Sequence, residues 1–118
     1  MINNSLVTAR NRVLKGRYVG KAIYVGGMMN TPFVLTHYEI TASRHNEGKS
    51  LLVAQVILNG ERRTLFTESY SLIETIQAAK TEPPYFTKII KKKDGYYYFV
   101  RLNNVELNKL QSYVKNEN

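Results

Sequence analysis

Eight consecutive residues, Leu51-Leu52-Val53-Ala54-Gln55-Val56-Ile57-Leu58, are apolar but for one glutamine, and Asn59-Gly60 follows them directly. A short apolar run of this kind, closed by a turn signal, predicts a strand with Leu52, Ala54, Val56 and Leu58 on one face and Gln55 interrupting the other. Such a strand belongs in the middle of a sheet. Asn-Gly suits the two positive-φ positions of a two-residue hairpin turn, so Arg62 to Thr67 should return antiparallel to it.

The remaining elements follow from the same patterns. Lys21-Ala22-Ile23-Tyr24-Val25 is rich in β-branched and aromatic residues and ends at Gly26-Gly27, which marks a bulge or turn. Phe33 to Thr41 alternates, with Leu35, His37, Glu39 and Thr41 on one face and Val34, Thr36, Tyr38 and Ile40 on the other. Ser43 to Ser50, with Gly48, reads as a loop. Between Ser69 and Lys80 the spacing becomes helical: Leu72, Ile73, Ile76 and Ala79 form one stripe, Ser71 and Glu74 have capping-box spacing, and Pro83-Pro84 ends the helix. A second hairpin, Tyr85 to Lys92 and Tyr96 to Leu102, should reverse at Asp94-Gly95. Asn103 or Asn104 can cap a last helix over 103–116, with Leu107, Leu110 and Val114 on one face.

This order predicts a mainly β, α+β fold: an OB-like five-strand antiparallel barrel or curved sheet, with a helix between strands 3 and 4 and a C-terminal helix. At 118 residues the chain has the length of one domain. Residues 18–118 are assigned to it and residues 1–17 to a basic N-terminal arm. The first acidic residue is Glu39, so Arg10, Arg12, Lys15, Arg17 and Lys21 stand without a counter-charge in sequence.

Charge directs the search for a partner. Lys and Arg number 17 against 9 Asp and Glu, a net charge of +8 that concentrates polyanions around the protein. With no cysteine there is neither a disulfide framework nor a thiolate ligand or nucleophile. No apolar run is long enough for a bilayer and no secretory signal is evident, so the expectation is a cytoplasmic protein without membrane contact.

The most informative local feature is Lys91-Lys92-Lys93-Asp94-Gly95-Tyr96-Tyr97-Tyr98-Phe99. With a two-residue turn, Lys93 faces Tyr96, Lys92 faces Tyr97 and Lys91 faces Tyr98, and at least one face, that of Phe99 or of Tyr98, packs inward. Cations holding phosphates beside rings that stack bases describe a single-strand binder. The alternative is that the tyrosines are half-buried sheet residues whose lysines snorkel at an edge. Arg62 and Arg63 add a second basic hairpin tip. Candidate nucleic-acid-binding residues are therefore Arg17, Lys21, Tyr24, Tyr38, Arg62, Arg63, Lys88, Lys91, Lys92, Lys93, Tyr96, Tyr97, Tyr98 and Arg101.

Signs of catalysis are thin. His37 and His45 lack metal-ligand spacing, and His37 with Glu39 on one strand face finds no third ligand by spacing. Gly48-Lys49-Ser50 lacks the upstream glycine and following helix of a phosphate-binding loop. No catalytic residue, metal or cofactor is assigned.

Thr64-Leu65-Phe66-Thr67-Glu68-Ser69, running into Leu72-Ile73-Glu74-Thr75-Ile76, then Pro83-Pro84-Tyr85-Phe86 and the basic, aromatic hairpin, resembles a loose group of small proteins from bacteriophages and mobile elements. The likeness covers roughly Lys15 to Val100 by order of elements, and glycine often stands in that pattern where this chain has Glu68. It implies an accessory protein acting near replication or recombination and carries over no site residue. The expected function is non-catalytic binding of nucleic acid, single-stranded DNA first. The alternative is a protein-interaction module that forms a homo-oligomer or docks on an acidic partner.

Overall fold

The computed structural model describes residues 18–117, with side chains through Ser112. Six strands, β1 (Lys21–Tyr24), β2 (Phe33–Ala42), β3 (Ser50–Leu58), β4 (Glu61–Thr67), β5 (Tyr85–Lys91) and β6 (Tyr97–Val100), form a curled sheet in the order β1-β4-β3-β2-β5-β6. Helix α1 (Tyr70–Gln77) lies between β4 and β5, and α2 (Asn104–Glu117) follows β6. The mainly β, α+β class is as expected. The arm of residues 1–17 lies outside the described residues.

Two details of the expected barrel are corrected. The arm returning from Asn59-Gly60 is a full strand, which makes six strands rather than five. Also, β1 pairs parallel with β4, so the sheet is mixed and not antiparallel throughout. Four residues of β1 are followed by a 3-10 turn, Val25–Gly27, and by Met28, which is buried in the core. The chain thus leaves β1 through the interior instead of by a hairpin, and β1 is left to occupy the free edge of β4.

As its sequence implies, β3 lies inside the sheet and is buried on both faces. Leu52, Ala54, Val56 and Leu58 join Phe33, Leu35, Leu65, Ile89 and the α1 residues Leu72, Ile73 and Ile76 in the main core. On the opposite face Ile57 packs with Val34, Leu102 and Leu110, with half-buried Phe86 alongside. Each fully buried aliphatic side chain contributes about 1.5–3 kcal/mol, so the two clusters dominate the stability of the sheet. The turn to β4 matches expectation: Leu58 pairs with Glu61, and Asn59 (φ 52°) and Gly60 (φ 80°) are both left-handed.

The alternation expected for β2 breaks at a bulge. Leu35 pairs with Val56, but His37 pairs with Gln55, so Thr36 is the extra residue. Tyr38 and Ile40 therefore stand on the core face with Leu35, and His37 and Glu39 on the opposite face with Val34. Without the bulge His37 would follow Leu35 into the apolar core, at the cost of burying an imidazole there.

Gln55 explains how a polar residue sits in such a strand. Its amide oxygen accepts the Val19 N–H (2.7 Å), and its amide nitrogen donates to the Val19 carbonyl (2.9 Å) and the Arg63 carbonyl (2.9 Å). Thr64 also donates to Val19 (3.2 Å). One residue earlier, Tyr18 stacks against His37 at 4.9 Å between ring centroids. The incoming chain therefore crosses β2, β3 and β4 before turning into β1.

Both helix starts are capped by side chains. Ser69, not Ser71, caps α1 by accepting the Leu72 N–H, and Ser71 instead donates to the Tyr97 carbonyl (2.7 Å), tying the helix to β6. Asn103 and Glu106 form a reciprocal capping box on α2. Leu110 is buried and Leu107 half-buried, whereas the side chain of Val114 lies outside the described set.

The crossing needs glycine at one position. Gly20 has φ +93°, and a Cβ there would lie 1.8 Å from the Arg62 carbonyl oxygen. Gly20→Ala is expected to lower the unfolding free energy by about 1–3 kcal/mol or more in urea titrations. Gly26→Ala, where nothing lies within 4 Å of the added carbon, should stay within about 0.5 kcal/mol of the parent. Equal effects at the two positions would contradict this account of the crossing.

Candidate nucleic-acid interface

The lysine- and tyrosine-rich hairpin reverses through three residues, not two. The Lys92 carbonyl accepts the Gly95 N–H (2.9 Å), the Lys92 N–H donates to the Tyr96 carbonyl (3.1 Å), and Gly95 has φ +89°. Asp94 favours this turn, because its Oδ1 accepts the Tyr96 N–H (2.8 Å) and its Oδ2 the Tyr98 hydroxyl (2.6 Å). The expected register is accordingly off by one: Lys91 pairs with Tyr97, and Ile90 with Tyr98.

A one-residue slip exchanges faces. Tyr97 and Phe99 pack against the main core, with Lys91 on the same side. Lys92, Tyr96 and Tyr98 stand on the other. Lys91 Nζ lies 5.7 Å from the Tyr97 ring centroid, and Lys92 Nζ lies 4.4 Å from that of Tyr98. Tyr96 is 60% exposed beside the turn, with Lys93 also exposed. The tip thus presents three lysines and a largely open ring, with two further rings covered by lysine.

Other candidates are dispersed. Lys88 is ion-paired with Glu106 at 2.9 Å. Arg63 bends onto the β1 backbone, its Nε donating to the Lys21 carbonyl (3.2 Å). Arg62 and Lys21 are exposed on β4 and β1, with β3 and β2 between them and the β5–β6 hairpin. Tyr38 is half-buried against the core. Arg101 is exposed between β6 and α2. Arg17 lies outside the described residues. Lys91, Lys92, Lys93, Tyr96, Tyr97 and Tyr98 gather at one hairpin tip, Lys91 and Tyr97 on one face and Lys92, Tyr96 and Tyr98 on the other.

The curl of the sheet adds a feature that sequence reasoning missed. A pocket of about 720 Å³ is lined by Tyr24 of β1, Phe66 and Glu68 at the end of β4, Thr41 to His45 at the end of β2, and Tyr97 of β6. Tyr24 is 64% exposed, and its ring lies 6.3 Å from that of Phe66. Glu68 fixes the neighbouring loop, accepting from Ser43 Oγ (2.5 Å) and Asn46 Nδ2 (2.6 Å). Through Tyr97 the pocket adjoins the basic hairpin.

Residues 19–100 match the model of a family described as a domain of unknown function (DUF8468). The chain belongs to this family. No curated protein and no solved structure matches it. The matched span runs from Val19, held by Gln55, to Val100 at the end of β6, and so includes the hairpin and the pocket but not α2. Among the described residues no three or more His, Asp or Glu side chains are grouped to hold a metal, and no helix is long and apolar enough to cross a membrane.

Three carboxylates are held below their ordinary pKa: Glu68 by hydrogen bonds from Ser43 and Asn46, Asp94 by Tyr98 and the Tyr96 backbone, and Glu106 by the Asn103 backbone and Lys88. The Asp94 bond raises the Tyr98 phenol in return. For a lowered folded-state pKa, the stabilisation is present above the unfolded value and is lost as pH falls through the folded one. Melting temperature should therefore decline from about pH 5 toward pH 2, and Glu68→Gln or Glu106→Gln should flatten that decline. Circular dichroism melts across this range would contradict these roles if the variants kept the parent slope.

Proposed function

We propose that this protein binds single-stranded nucleic acid, single-stranded DNA first, without catalysing a reaction on it. The curled sheet would act in the manner of an OB-fold, presenting a basic hairpin and its aromatic rings to a flexible strand. What carries this reading is the tip itself, where Lys91 and Lys92 lie over Tyr97 and Tyr98, and Lys93 and Tyr96 are exposed.

Magnitudes favour exchange of partners at the tip. An exposed cation–π contact is worth about 0.5–1 kcal/mol, whereas a base stacked on an aromatic ring contributes about 1–3 kcal/mol. A strand arriving at the hairpin gains more by stacking on a ring than the lysine loses by leaving it. The freed ammonium then meets phosphate and releases condensed counterions. Resting lysine–tyrosine contacts cover the two rings and place charge beside the β6 edge, which disfavours pairing with another sheet.

The dispersion of Arg62, Arg63 and Lys21 limits the direct footprint to the hairpin and its surroundings. Those cations strengthen the long-range field more than they contact the strand. A role near replication or recombination in a phage or mobile element accords with such a binder.

Fluorescence anisotropy with a labelled mixed-sequence oligonucleotide should give binding that weakens steeply with salt, about 0.7 in log–log slope per phosphate contacted. Replacing Lys91, Lys92 and Lys93 by alanine should reduce that slope by about 2. Tyr96→Ala should cost about 1–3 kcal/mol at constant slope. Absence of binding at low salt would overturn the reading. Recovery of one acidic protein after nuclease treatment would replace it with the interaction-module alternative.

A further inference from the structure

We infer that the pocket between the two edges of the sheet is a site for one nucleotide, either free or as an unstacked unit of a bound strand. This rests on the nucleic-acid reading and extends it from the hairpin surface to a defined cavity. Its volume of about 720 Å³ falls among sites that take small organic molecules, about 300–1,000 Å³. The lining is divided by chemistry. Tyr24, Phe66 and Tyr97 supply aromatic surface for a base, and Arg44 and His45 border the same space from the loop after β2.

That loop is built to hold its shape. Ser43 N–H donates to the Lys49 carbonyl (2.9 Å) and Lys49 N–H to the Asn46 carbonyl (3.0 Å), while Glu68 takes the Ser43 and Asn46 side chains from across the rim. Arg44 and His45 are thereby carried on an anchored turn, which suits them to a phosphate. Glu68 has lone pairs beyond the two already used, and a carboxylate accepts only N–H or O–H donors, so it suits the donor edge of a base and disfavours phosphate on its side. The base is therefore directed toward Glu68 and the aromatic rings, the phosphate toward Arg44 and His45. Lys91, over the Tyr97 ring, lies where the strand would continue onto the hairpin.

Deoxyguanosine 5′-monophosphate, whose base presents adjacent N–H donors, is the probe. Titrated into ¹⁵N-labelled full-length protein, it should give saturable shifts at the amides of Tyr24, Arg44, His45, Phe66 and Glu68. Tyr24→Ala and Arg44→Ala should each weaken this binding about fivefold or more with unchanged melting temperature. Lys109→Ala, which removes one charge from the exposed face of α2, should not. If the oligonucleotide binds but neither it nor the mononucleotide gives saturable shifts at these amides, the pocket assignment fails and the hairpin reading stands; shifts with the oligonucleotide alone assign the pocket to a unit of a bound strand. If neither ligand binds, both fail. Equal weakening by Lys109→Ala would reduce the effect to net charge and overturn the site.

Discussion

Burial of β3 on both faces is the constraint on which the rest of the molecule depends. A strand with one wet face needs one covering layer, but this one needs two. The main layer is supplied by the curl of the sheet with α1 and Met28, the other by Val34, Leu102 and Leu110 with the incoming chain at Tyr18 and Val19. Gln55 links the two demands. Its side chain satisfies the Val19 backbone while buried itself, so the polar interruption in an apolar run becomes the device that fixes the crossing segment.

From this follows the path of the edges. Because the chain enters over the face of the sheet, it joins at the free edge of β4, and β1 runs parallel to β4. Because it leaves β1 through the interior, no hairpin joins β1 to β2. The sheet is thus bounded by two strands of four residues each, β1 and β6, and its curl brings an aromatic residue from each, Tyr24 and Tyr97, to one pocket. Short edges also offer little template for another chain.

Local signals in the sequence were legible wherever the physics is local. The Asn59-Gly60 turn, the two-sided burial of β3, the Leu72, Ile73 and Ile76 stripe of α1, though not its expected extension to Ala79, which is exposed beyond the helix, and the asparagine cap of α2 all depend on residues within a few positions of one another. Errors arose where a single residue shifts a register. Thr36 as a bulge moved His37 and Glu39 off the face expected for Leu35, and the third turn residue, Lys93, moved every lysine–tyrosine pair by one. Neither shift has a strong signature in isolation: the bulge is decided by what imidazole burial would cost, and the turn by what Asp94 accepts. The hairpin was identifiable as a cluster but not in its pairings. The pocket was not identifiable, since Tyr24, Arg44, Phe66 and Tyr97 meet only through the curl.

Glu68 gains a physical meaning from the same geometry. This carboxylate grips both ends of a turn, through Ser43 and Asn46. A glycine there would leave the loop after β2 free to move relative to the end of β4, and the ordering entropy of that loop would fall on any ligand that needed Arg44 or His45 in place. With Glu68 present, that ordering is completed on folding. Its cost is a negative charge at the rim of a basic protein's pocket, acceptable only if the ligand offers hydrogen-bond donors there. A base does so, whereas a bare phosphate backbone does not. For the nucleotide proposed for this pocket, the carboxylate would therefore set an orientation and not merely tolerate an anion.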